Sequence, residues 1–195
     1  MIFEADTKAR ADMKPGTLYA ISGSLGHIYY GQVTTDKSIG FFHRRDSHLP
    51  RPEDILSSSI MSVVTAAYPS ITRALRSGIW QKLGRFPLAD QLMKLPSRVH
   101  WPVGALMVTV CGDDGSEHET SVDDPSIQNL ELMTVWDAEH HIPNRLEADF
   151  EDKPERWKTG GTVLQKRLQM QESAQQFPDK SWLALPENWV VAKAN

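Results

Sequence analysis

Six carboxylates lie within twelve residues of this chain, and no lysine or arginine interrupts them. They are Asp113, Asp114, Glu117, Glu119, Asp123 and Asp124. Two carboxylates serve as general acid and base only where an apolar pocket holds their pKa values apart, and nothing in this polar stretch predicts such a pocket. The run is therefore either a solvated loop that keeps the protein soluble, or an interface for a cationic partner.

The acidic run belongs to a wider asymmetry of charge. Residues 103–152 contain 13 acidic groups and one base, Arg145, whereas residues 1–100 carry a net charge of +5 in a chain whose total is −4. Such a distribution bears on partners more than on fold. Because an acidic surface repels phosphate, we expect a protein partner with a basic surface and no nucleic acid.

The other residues with catalytic or metal-binding potential form no recognisable set. The seven histidines include the adjacent pair His140-His141, but none shows the spacing of a metal site. The single cysteine, Cys111, follows an apolar run and precedes Asp113 and Asp114, which predicts a small buried side chain with a raised thiol pKa. Phosphate-binding glycine loops and nucleophile elbows are absent from the sequence. We expect no catalytic residue, no cofactor and no metal.

The elements that position these residues begin with three short β-rich runs. Residues 17–21, 27–35 and 38–43 are separated by turn signals, which predicts an antiparallel meander. Gly31 and Gly40 fall inside the second and third runs, where glycine commonly marks a bulge or a bend. We therefore expect an α+β fold whose antiparallel sheet curls into a small barrel-like meander, with a few peripheral helices.

The rest of the chain alternates between strand and helix patterns. We predict strands at residues 60–65, 79–88, 105–111, 118–122 and 130–136, and helical segments at residues 69–76, 89–94, 138–150 and 159–176. The acidic run lies on the hairpin between the strands at 105–111 and 118–122 and in the loop that follows. Residues 1–158 are expected to form one domain. Residues 159–195 are then a helix and a tail, containing the apolar Trp189-Val190-Val191, packed on that domain or appended to it.

Three stretches together resemble a known family. They are Gly16-Thr17-Leu18-Tyr19-Ala20-Ile21 with Tyr29-Tyr30-Gly31-Gln32-Val33; Gly78-Ile79-Trp80-Gln81-Lys82-Leu83-Gly84-Arg85-Phe86-Pro87-Leu88; and Val135-Trp136-Asp137-Ala138-Glu139-His140-His141-Ile142 with Arg145-Leu146. In this order, over residues 14–150, the chain resembles the immunity protein 26 family, found beside polymorphic toxins in bacteria.

The resemblance implies a curled antiparallel sheet with helical additions and a role in binding a cognate toxin inside the producing cell. Some relatives also carry a phosphotriesterase label, which no residue here supports. Trp80, Gly84, Pro87 and Trp136 match the family pattern and have structural explanations as core aromatics, a turn glycine and a strand-ending proline. We expect both tryptophans to be mostly buried.

The leading hypothesis is a non-enzymatic immunity protein that neutralises a toxin, such as a nuclease, through its acidic surface. The alternatives are a small hydrolase acting on phosphotriester-like or ester substrates, and an adaptor with an acidic docking face. The first 14 residues have mixed charge and no apolar core, and no run approaches the ~20 apolar residues that span a bilayer. We therefore expect a cytoplasmic protein without a membrane partner. The sequence does not indicate its oligomeric state.

Overall fold

A computed structural model describes residues 3–157 and 159–177 of the chain. Within these ranges it contains ten strands and four α-helices. The strands are β1 (Thr17–Ser22), β2 (Ile28–Val33), β3 (Ile39–Phe42), β4 (Ile60–Ala66), β5 (Trp80–Arg85), β6 (Arg98–His100), β7 (Met107–Cys111), β8 (Glu117–Ser121), β9 (Glu131–Leu132) and β10 (Val135–Trp136). The helices are α1 (Pro52–Leu56), α2 (Tyr68–Arg76), α3 (His141–Phe150) and α4 (Val163–Gln176). The predicted α+β class is confirmed, while the apolar tail at Trp189 lies outside the described residues.

The first sheet has six strands in the order β10-β4-β3-β2-β1-β5. The predicted meander of β1, β2 and β3 forms its centre, and β4 pairs antiparallel with β3 to continue it. Strand β5 adds antiparallel to β1, and β10 adds parallel to β4. Since β5 and β10 stay at opposite edges, the sheet is open, and the expected barrel-like closure is wrong.

Gly31 and Gly40 were expected to mark bulges or bends in their strands. Neither marks a bulge; the register shifts lie at Leu18/Tyr19 and Phe41/Phe42 instead. A Cβ added at Gly31 would come within 2.6 Å of the Phe41 ring, and one at Gly40 within 2.2 Å of Leu92. These glycines make room for neighbouring core side chains.

Both faces of the first sheet bury apolar side chains. One face packs against α2 and α3 and contains Trp80 and Trp136, each 1% exposed, which confirms the prediction for both tryptophans. The indole N–H of Trp80 donates to the carbonyl oxygen of Ala138 at 2.9 Å, so its polar atom is satisfied inside the core. The opposite face packs against α1 through Ile55 and against Leu92.

The second sheet has four strands in the order β8-β7-β6-β9. Its inner face packs Val99, Val108 and Val110 against Val163 at the start of α4. Thr162 and Gln165 form a capping box there, which explains why the predicted C-terminal helix begins at this point. Among the described helices, α4 included, none has both the length and the apolar character needed to cross a membrane.

The segment from Leu130 to Trp136 connects the two sheets. It was expected to form one strand, and that prediction is wrong. Strand β9 pairs parallel with β6 in the second sheet, whereas β10 pairs parallel with β4 in the first. As a result Glu131 and Trp136, only five residues apart, lie in different sheets and approach α3 from two directions.

Candidate functional site

The acidic run occupies the hairpin between β7 and β8 and the loop after it, as predicted. The N–H of Gly112 donates to the carbonyl of Ser116 at 2.8 Å, and that of Gly115 donates to Gly112 at 3.2 Å. Gly115 has a φ of 81°, a left-handed conformation that glycine adopts without steric cost. Because β8 is an outermost strand of the second sheet, the hairpin lies at the periphery.

Four of the six predicted site residues are exposed, and we call them the acidic edge: Asp113, Asp114, Glu117 and Glu119. Asp113 forms an ion pair with Lys94 at 2.6 Å. The hydroxyl and the N–H of Ser116 lower the pKa of Asp114 below its ordinary value. Glu117 and Glu119 are two residues apart on one strand, so both side chains project from the outer face of β8.

Asp123 and Asp124 were expected to be solvated with the others, and that expectation is wrong. The carboxylate of Asp124 accepts the N–H of Ser126 at 2.8 Å and the hydroxyl of Thr120 at 2.7 Å, which caps the short 3₁₀ turn at Pro125–Ile127. Asp123 forms an ion pair with Arg167 of α4 at 2.7 Å. Both residues are only partly exposed and hold the loop against the second sheet.

Cys111 lies directly opposite Glu117 across the hairpin. It is half-buried, whereas the sequence predicted full burial. Burial, and after it the negative charge of Glu117, raise the pKa of the Cys111 thiol. The raised pKa agrees with the prediction, but its source is Glu117 and burial, and not Asp113 and Asp114. A thiol of this kind is largely protonated at neutral pH and is a poor nucleophile.

Arg145, the lone base of the acidic half, is buried where the two sheets meet. Its side chain is 1% exposed. The guanidinium donates to both carboxylate oxygens of Glu131, at 2.5 and 2.7 Å, and to Asp149 at 3.1 Å. It also lies 4.4 Å from the ring centre of Trp136 and 4.1 Å from that of Trp157. A bidentate ion pair with aromatic contacts is among the stronger polar arrangements inside a protein.

A cleft of about 500 Å³ opens beside this cluster, between β4, β6, β9 and α3. Its second cation is Arg98, which forms an ion pair with Asp36 of the first sheet at 3.0 Å. Since both arginines are already engaged by carboxylates of the protein, the cluster serves to join the sheets. The sequence contains one signal for this buried cluster, because Arg145 is the single base among thirteen acids in residues 103–152.

Asp137, Glu139 and His140 bring three potential metal ligands within 4.8 Å of one another at the start of α3. The positive charge of Arg73 in α2 already neutralises the two carboxylates, because its guanidinium forms ion pairs with Asp137 at 2.9 Å and with Glu139 at 2.6 Å. The carboxylate of Asp137 also accepts the N–H groups of Glu139 and His140 at 2.9 and 3.0 Å. The two carboxylates of this cluster are thus engaged by Arg73 and by backbone N–H groups at the start of the helix.

No protein-family model, curated protein or solved structure matches this chain.

Proposed function

We propose that this protein is a non-enzymatic immunity protein that binds and neutralises a cognate bacterial toxin in the cytoplasm of the producing cell. The acidic edge is the surface that meets a basic face of the toxin. One observation carries the proposal: four exposed carboxylates, Asp113, Asp114, Glu117 and Glu119, lie on a single peripheral hairpin.

The electrostatics of the acidic edge suit recognition of a cationic protein. Lys94 pairs with Asp113, but within the described residues no ion pair involves Glu117 or Glu119. Their uncompensated charge attracts a basic surface over the ~8 Å screening length of physiological salt. Such complementarity raises association rates and disfavours wrong partners. Toxic nucleases present basic clefts to their substrates, which makes them a fitting class of partner.

The resemblance to the immunity protein 26 family supports a toxin as the partner. The negative charge of the acidic edge supports this edge as the surface that contacts the toxin. The catalytic alternative lacks comparable support, because the buried ionisable cluster around Arg145 is closed by its own ion pairs.

A protection assay tests the proposal. The toxin is the product of an adjacent reading frame with a toxin C-terminus, expressed in cells together with the protein or a variant. The edge variant carries Asp113→Asn, Asp114→Asn, Glu117→Gln and Glu119→Gln. A matched control removes four other exposed acids through Glu4→Gln, Glu53→Gln, Glu155→Gln and Glu172→Gln.

We expect the wild type and the control to protect growth and the edge variant to lose much of its protection. Failure of the wild type to protect against the toxin of the adjacent reading frame would contradict the proposed function. Full protection by the edge variant would exclude the acidic edge as the contact surface.

A further inference from the structure

Strand β8 has an open side. It is the last strand of its sheet, and among the described residues only β7 pairs with it. An outermost strand presents unpaired backbone N–H and C=O groups to its surroundings, which makes it a template for another strand.

The register of the hairpin identifies the residues that present those groups. The N–H of Gly112 bonds to Ser116, and the N–H of Val122 bonds to Leu106 at 2.9 Å. Residues facing each other in an antiparallel pair alternate between bonded and non-bonded positions. His118 and Thr120 therefore direct their backbone groups to β7, and Glu117 and Glu119 direct theirs to the open side.

The same two residues thus offer unpaired backbone N–H and C=O groups together with exposed carboxylates that form no ion pair among the described residues. The Glu117 carboxylate accepts a contact from the Cys111 thiol at 3.8 Å. An antiparallel strand bonded to Glu117 and Glu119 places its facing residues beside them, on the same face of the sheet, two positions apart. Charge complementarity requires these facing residues to be lysine or arginine. A second copy of β8 would place glutamate against glutamate, an arrangement that like-charge repulsion disfavours.

We propose that the partner binds by adding an antiparallel β-strand to β8, with basic residues at alternating positions facing Glu117 and Glu119. This rests on the proposed function and specifies how the acidic edge recognises its partner. Backbone bonds then supply affinity and the alternating charges supply register, as in other cases of strand addition.

A synthetic probe tests the pairing directly. The probe is a short peptide in which lysine and threonine alternate, compared in two N-methylated forms that have equal charge. Methylation of the lysine amides blocks the groups that face β8, whereas methylation of the threonine amides blocks groups that point away. Loss of two such bonds weakens binding roughly tenfold, so we expect only the lysine-methylated peptide to bind about ten times more weakly. Equal weakening, or the reverse order, would overturn the proposal.

A pair of chain variants makes the same distinction with the toxin itself. Glu119→Pro and Glu119→Gln both remove one charge, but only proline also removes the outward N–H. Proline is tolerated at such edge positions because that N–H makes no bond to β7. We expect the proline variant to bind roughly two- to tenfold more weakly than the glutamine variant, with similar unfolding midpoints.

The outcomes separate this inference from the proposed function. If the charges of the acidic edge govern binding while proline and glutamine act alike, strand addition is wrong and the proposed function stands. If the wild type neither protects cells nor binds the toxin, the proposed function fails first. Analytical ultracentrifugation of the protein alone tests the remaining alternative. If the protein self-associates and Glu119→Pro abolishes that association, the strand added to β8 comes from a second copy of the chain, for example its β5. That result would overturn the proposal.

Discussion

Arg145 is the single residue on which the joining of the two sheets most depends. It binds Glu131 of β9 and Asp149 of its own helix, and it contacts Trp136 of β10. Removing one member of a buried ion-paired cluster leaves the other charges unpaired and typically costs about 3–5 kcal/mol. We predict that Arg145→Met lowers the free energy of unfolding by about this amount, measured by urea denaturation.

Arg156→Met is the matched control for that prediction. Arg156 also forms an ion pair with an acid, Glu151 at 2.7 Å, but its side chain is 47% exposed. Exposed pairs of this kind contribute less than about 1 kcal/mol. Similar losses for the two variants would contradict the role assigned to Arg145.

Asp36 provides a link between the sheets that depends on pH. Burial acts to raise the pKa of its carboxyl, but hydrogen bonds from Thr34, Ser38 and Arg98 outweigh burial and hold the pKa below its ordinary value of 3.8. A carboxyl with a depressed folded-state pKa stabilises the protein above the unfolded pKa, and this contribution disappears as the pH falls through the folded value.

We therefore predict that Asp36→Asn is less stable than the wild type near neutral pH, and that the difference shrinks as the pH falls below about 4. Unfolding free energies of both proteins, measured from neutral to acid pH, test this. A difference that stays constant through the acid range would mean that ionisation of Asp36 does not contribute to stability.

At the scale of elements, the acidic run divides into an exposed hairpin, on which Glu117 and Glu119 form no ion pair among the described residues, and a loop that is held by its own acids. Asp123 and Asp124 are engaged by Arg167, Thr120 and Ser126, so their removal undoes contacts that fix the loop. Asp113, Asp114, Glu117 and Glu119 project into solvent.

This division predicts opposite results for two sets of substitutions. Asp123→Asn with Asp124→Ala should lower the urea midpoint of unfolding, because a cap and an ion pair are lost. The four substitutions of the acidic edge should leave the midpoint nearly unchanged or raise it slightly by relieving repulsion. If both sets destabilise the protein equally, the acidic edge is as structural as the loop.

The central meander and α2 were predictable because their turn signals and side-chain patterns are local. The turn at Asp36-Lys37 and the proline near the start of α2 mark boundaries within a few residues. By contrast, Met133 and Thr134 carry no breaking signal, yet the chain changes sheets there. The choice between one strand and two depends on which distant strand, β4 or β6, provides the partner.

The candidate site was predictable in the same limited way. The density of acidic residues in the sequence predicted that the hairpin lies on the surface, since acidic side chains without basic partners favour solvent. It did not separate Asp124 from Glu119, because capping and exposure depend on the folded loop. Gly31 and Gly40 show the same limit: the sequence indicates that a side chain is excluded, but only packing reveals that Phe41 and Leu92 exclude it.

At the scale of the whole molecule, the two sheets have different roles. The first contains most of the large buried aromatic residues, and the second displays the acidic edge on its far side from β9. Arg145 and Arg98 join them through ion pairs with Glu131 and Asp36. The edge is thus an exposed charged surface on a supported sheet, which suits binding to a partner without reorganisation of the core.

The measurement that tests the central claim most directly is the association rate with the purified toxin at low and at physiological salt. Wild type and the Glu4, Glu53, Glu155 and Glu172 control should associate rapidly and slow markedly as salt rises. The edge variant should associate roughly tenfold or more slowly at low salt, with a flatter salt dependence. An edge variant that binds at the wild-type rate with the wild-type salt slope would contradict the claim that Asp113, Asp114, Glu117 and Glu119 recognise the toxin.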